Sequence, residues 1–117
     1  MITEEKMKID FAEIEEKCVE NFKNGQGKVY LKVHNDEEEN VILIRIPKGS
    51  SIGRHTHLTD SETEFVLQGK VVFTIDGKEE TVEKGQCHFC RNGSSHAVRN
   101  DCDEDAVIFA VVPLLKR

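Results

Sequence analysis

Residues 49–69 read GSSIGRHTHLTDSETEFVLQG. His55 and His57 are one residue apart, so in an extended strand both side chains point to the same face. Glu62 follows five residues later, far enough for the chain to turn and re-enter from a neighbouring strand. A second stretch, residues 85–100, reads GQCHFCRNGSSHAVRN and brings His96 after a Gly93-Ser94-Ser95 turn. Three neutral imidazoles and one carboxylate make a mixed nitrogen and oxygen donor set, which suits Fe, Mn, Co, Ni, Cu or Zn. Three or four protein donors on an octahedral ion leave positions for water or substrate. The competing reading is a pair of solvent-facing histidines on an alternating strand, and either residue alone would be a weak signal.

The frame around these residues decides between the two. Gly49, five residues, His55-x-His57, four residues, Glu62, six residues and Gly69 form one unit. Gly85, five residues, Arg91-x-Gly93, two residues, His96, three residues and Asn100 form another. In these two motifs the sequence resembles a small single-domain member of the cupin superfamily, over residues from about 28 to 112. One position departs from the family pattern: Arg91 stands where a proline is usual, which is expected to loosen a turn without touching a ligand. The resemblance implies an all-β fold, a double-stranded β-helix or jelly-roll barrel. It also implies one divalent transition metal at the barrel mouth, held by His55, His57, Glu62 and His96.

The rest of the chain agrees with a barrel. Lys28–Val33 and Val41–Ile46 are rich in β-branched residues and read as strands, joined by an acidic turn over His34–Asn40. Six of the eight glycines lie between Gly49 and Gly93. They punctuate short runs at Glu64–Leu67, Lys70–Ile75, Glu79–Val82, Gln86–Cys90, His96–Val98 and Ala106–Val112. Asp76-Gly77 is a type I′ hairpin signal, and the acidic run Asp101–Asp105 reads as a solvated hairpin tip. Residues 1–24 differ: Ile9, Phe11, Ile14, Cys18 and Phe22 recur at near-helical spacing. They predict an amphipathic α-helix over 10–22, capped by Asp10 and ended by Asn24-Gly25-Gln26-Gly27. The chain therefore divides into a helical extension, 1–24, and a barrel domain, 25–117.

Glu64 shares strand parity with Glu62, so a regular strand turns it to the same interior. It is the candidate catalytic residue, as a general base of raised pKa or an alternative ligand, against a rim carboxylate facing water. Arg54 and Arg91 flank the motifs and are candidates to clamp an anionic substrate, against ordinary surface arginines. Cys87 and Cys90 invite a zinc reading. Residues three apart on a strand face opposite ways, however, so small core residues fit better. His88 shares a face with Cys90 and is expected to line the cavity without being a ligand, whereas His34 is expected in water.

Composition bounds the rest. The 117 residues, 38% of them hydrophobic, are enough for one folded unit with a core. A net charge of −6 and no Lys/Arg-rich block argue against nucleic acid as a partner. No apolar run approaches the roughly 20 residues of a spanning helix, which argues against a membrane. The charged Met1–Lys17 lacks the apolar stretch of a signal peptide, so the expectation is a cytoplasmic protein with four reduced cysteines. Six Phe, one Tyr and no Trp offer little stacking surface for sugars or bases. Val41–Ile44 and Ala106–Val112 are apolar on both faces, which one barrel interior cannot consume. Either the N-terminal helix or a second subunit covers the outside, and a homodimer is the expectation. The function implied is a metal-dependent enzyme on a small polar or anionic molecule. The alternative is a non-catalytic module binding metal or a small ligand.

Overall fold

The computed structural model describes residues 7–115. Ten strands follow one another: β1 Lys17–Glu20, β2 Lys28–Asn35, β3 Glu39–Ile46, β4 Ser51–Thr56 and β5 Glu62–Gln68. They continue as β6 Lys70–Ile75, β7 Lys78–Glu83, β8 Cys87–Cys90, β9 Ser95–Arg99 and β10 Ala106–Pro113. All pairings are antiparallel, in one six-stranded sheet of order β1-β2-β3-β10-β5-β8 and one four-stranded sheet of order β4-β9-β6-β7. The two sheets form the jelly roll expected from the motifs. The central strands bury alternate residues, as their period-two geometry requires: in β10, Ala106, Ile108, Ala110 and Val112 go inward while Val107, Phe109 and Val111 face outward, half-buried. Ile44, Ile46, Val66, Val71, Phe73 and Val98 complete the centre of the core.

The hairpin between β6 and β7 turns at Asp76-Gly77, both with positive φ (49° and 75°), as a type I′ turn requires. Two other links depart from expectation. The acidic run Asp101–Asp105 is no hairpin tip, because β9 and β10 lie in different sheets and the run carries the chain between them. Fully buried Asn100 anchors this crossing: its Nδ2 donates to the carbonyls of Ile46 and Glu104, both at 2.8 Å, and its Oδ1 accepts from Cys102 N. His34 lies within β2, opposite Val41 and half-buried, rather than in a solvated turn.

The α-helix expected over 10–22 does not form. Asp10 does cap a turn, accepting from Ala12 N at 3.0 Å, but that turn is a single 3-10 turn over Phe11–Glu13. Ile14 is already extended, and Lys17–Glu20 pairs with Lys28–Leu31 on the free edge of the sheet. A second 3-10 turn, Phe22–Asn24, follows at left-handed backbone angles. A short isolated helix is marginal, whereas the edge of β2 offers backbone hydrogen bonds along its length. The apolar residues still pack: Val19 and Phe22 reach the core, and Phe11 meets Phe109 edge-on at 6.2 Å on the outer face of the large sheet. Lys32 Nζ donates to Phe11 O at 3.0 Å, and Arg45 stacks on Tyr30 and pairs with Glu16 and Asp105.

Candidate metal centre

Four expected ligands meet at one end of the barrel. β4 carries His55, the following loop His57, β5 Glu62 and β9 His96, with His55 directly opposite His96 in the β4–β9 pair. His96 Nε2 lies 3.0 Å from His57 Nε2 and 3.1 Å from His55 Nε2. Glu62 Oε1 lies 3.3 Å from His57 Nε2 and 3.2 Å from His96 Nε2.

The opposite edge of each ring is occupied. His55 Nδ1 donates to Gly53 O at 2.8 Å, and His57 Nδ1 donates to Asp60 Oδ1 at 2.6 Å. His96 Nδ1 sits 3.0 Å from His88 Nε2. Protonation at each Nδ1 leaves three Nε2 lone pairs aimed at one point beside a carboxylate oxygen. Lone pairs this close repel unless a cation lies between them. Donors at right angles and about 2.1 Å from a single ion lie about 3.0 Å apart, close to the separations found, so the residues present fit a divalent transition ion.

The electrostatics follow the same arrangement. Burial alone would raise Glu62, but His57 and His96 outweigh it and bring its carboxyl down to about 2. The bond to Glu62 raises His57 against the cost of burial, with Asp60 adding to it. His55 is lowered, chiefly by burial.

A second tier lies beneath. Glu64 is 2% exposed, so its carboxyl is in the interior as strand parity predicts and the water-facing rim reading is overturned. Its Oε2 has no hydrogen-bond partner among the described residues and stands 3.9 Å from His96 Nδ1. Burial, then the charge of Glu62, raises its pKa well above the ordinary carboxylate value. His88 is buried on the same face as Cys90, stacked on Phe73 at 3.8 Å, and brought down to about 4, mainly by burial. Cys87 points outward, which separates it from Cys90 as the strand period demands. Arg54 and Arg91 are exposed and line no part of the cavity above the four donors; Arg91 lies over the ring of Phe89 instead.

The turn at Arg91 is not loosened. Ser94 N closes on Arg91 O at 3.0 Å, and the turn fastens His57 through Gly93 N and Asn92 Nδ2, both donating to His57 O. Sequence reasoning passed over Asp60, Asn92 and the Phe22–Asn24 turn. Asp60, three residues after His57, was the one legible signal among them, since a ligand histidine commonly gives its second N–H to a carboxylate.

A cavity of about 550 Å³ opens above the donors, walled by β2 and β3 and closed at its rim by Phe22, Lys23 and Leu58. Among the described residues no helix is long and apolar enough to cross a membrane.

Comparison with known proteins places this geometry in context. A family model described as "Cupin domain" matches residues 42–112. The "Oxalate-binding protein" of Thermotoga maritima is 29% identical over 116 residues, covering 93% of this chain and 95% of the relative. The "Tetracenomycin polyketide synthase protein TcmJ" of Streptomyces glaucescens is 27% identical, over 63% of this chain and 50% of its own length. Among solved structures, one described as a predicted oxalate decarboxylase from Thermotoga maritima superposes with a TM-score of 0.87 at 28% identity, covering 93% of this chain and all of the other. A sugar phosphate isomerase from Silicibacter pomeroyi shares the fold, with a TM-score of 0.75 at 21% identity, over 91% of this chain and 74% of the other.

Proposed function

The chain belongs to the cupin family, and from that premise we propose a metal-dependent enzyme acting on a small anionic molecule. His55, His57, Glu62 and His96 would hold one divalent transition metal. The observation that carries this reading is the convergence of three Nε2 atoms and one carboxylate oxygen, with each remaining ring nitrogen engaged elsewhere. The ion would supply Lewis acidity toward an oxygen-donor ligand.

The chain's own residues supply the rest. Glu64 is a buried carboxyl 3.9 Å from His96 Nδ1 whose pKa is raised by burial and the Glu62 charge, and a carboxyl of raised pKa is suited to donate a proton. Asp60 fixes the His57 imidazole and Gly53 O that of His55, so ligand geometry would be set before anything binds. The apolar walls on β2 and β3 limit water around the bound molecule. A non-catalytic binding module is the second reading, favoured by the name of the Thermotoga relative, an oxalate-binding protein that matches along nearly its whole length. Four cysteines without disulfides suit the reducing cytoplasm.

Elemental analysis of protein purified without added metal should give close to one transition ion per chain, and His57→Ala should abolish it. Unchanged metal content in that variant would sink the ligand assignment. Metal-dependent turnover of a carboxylate, diketone or phenol supports the enzyme; binding without turnover across such a screen supports the module.

A further inference from the structure

The cavity is much larger, and much less polar, than a bare dicarboxylate needs. Its volume is about 550 Å³. The donors and Glu64 occupy one side only. The facing wall is apolar: Leu31 and Val33 from β2, Ile42 from β3 and Val112 from β10, with Phe22 and Leu58 at the rim. Leu58 is 68% exposed, an unusual place for leucine one residue from a ligand histidine. Lys23 is the one Lys or Arg among the described residues lining the cavity.

Phe22 and Lys23 are built into this position. A Cβ on Gly53 would fall on Lys23 O, so only glycine lets the Phe22–Asn24 turn lie directly against β4. Asn21, Lys23 and Asn24 hold left-handed angles there (φ 52°, 55° and 66°). Left-handed angles at non-glycine residues are unfavourable and persist only where the surroundings enforce them. The turn thus brings an aromatic ring and one cation to the rim.

We infer that the ligand is a monoanionic oxygen chelator, a 2-oxo acid or its like, carrying an apolar chain or ring that lies along the β2–β3 wall. The inference rests on the proposed metal site for the head group, and on the wall alone for the tail. A second carboxylate in place of the tail would lie against leucine, valine and isoleucine side chains, with Asn40 beside them and the one cation, Lys23, out at the rim.

Isothermal titration of the metal-loaded protein with straight-chain 2-oxo acids, from pyruvate to 2-oxooctanoate, and with oxalate tests it. Each added methylene should tighten binding by about four-fold until the wall is covered, and 2-oxohexanoate should outbind oxalate. Leu58→Ser, at an exposed position, should flatten the dependence on chain length while metal content stays unchanged. Affinity independent of chain length, oxalate the tightest ligand, or no binding by any of the longer acids would each overturn the inference. Repeating the series on chelator-treated protein separates the two ideas. If the chain-length dependence survives without metal, the wall is confirmed and the metal-held head group fails.

Discussion

The buried carboxyl of Glu64 gives the metal-free fold a pH dependence whose slope follows from one proton. In the unfolded chain this group ionises near ~4.3. In the folded chain burial, reinforced by the Glu62 charge, raises it well above that value. A raised folded pKa contributes stability that is fully present below the unfolded value and is lost as pH climbs through the folded one. Between the two, each pH unit removes up to about 1.4 kcal/mol. Glu64→Gln keeps a side chain of similar size and removes the proton. Its amide brings a constant offset, so the slope and not the offset is the test. Urea unfolding of chelator-treated wild type and variant at pH 5 and pH 6 should show their stability difference moving in favour of the variant, by roughly 1 kcal/mol at most over that unit. His88, brought down to about 4, titrates in both proteins and cancels to first order. A difference that does not change with pH would refute the reasoning: Glu64 would then be ionised or solvated, and unable to act as a proton donor.

Asp60→Asn removes the charge that accepts His57 Nδ1–H at 2.6 Å. Competition with a fluorescent chelator should show metal affinity reduced about 10- to 100-fold, with the melting temperature of the metal-free protein little changed. Asn100→Ala strands the carbonyls of Ile46 and Glu104 and the N–H of Cys102. It should lower unfolding free energy by about 3 kcal/mol or more, read as a lower urea midpoint with an unaltered slope. Leu43 and Phe65 stay half-buried on the outer face of the large sheet, beside Phe109. Sedimentation at micromolar concentration should therefore give a homodimer, and a monomeric mass would count against that pairing.

The barrel was legible because its signals are local and mutually consistent. Short runs rich in β-branched residues in β2, β3, β6 and β10, punctuated by glycines, together with Asp76-Gly77 at the β6–β7 hairpin, require no knowledge of distant contacts. Residues 10–24 misled for the opposite reason. Their apolar spacing satisfies a helix, but what stabilises them is the unpaired edge of β2 and the outer ring of Phe109, both invisible along the sequence. The Asp101–Asp105 run failed similarly, since a charged run between two strands reads alike whether they share a sheet or not.

The site divides along the same line. That His55 and His57 share a face was readable from strand parity, while the convergence of Glu62 and His96 on them was implied by the resemblance of the two motifs to a cupin. That Glu64 lies inside was half-readable, since parity named the face while exposure depended on how much barrel stood over it. The cavity's apolar wall was not readable as a wall. Leu31, Val33 and Ile42 look like ordinary core residues in sequence, and only the folded barrel shows them lining one cavity with Phe22 and Lys23 of the turn packed against β4. Within a fold that hosts many chemistries, the donor set bears on the head group of the proposed ligand. The residues that name its tail belong to strands with no motif at all, which is why chain-length dependence distinguishes this protein's ligand better than any further reading of the histidines.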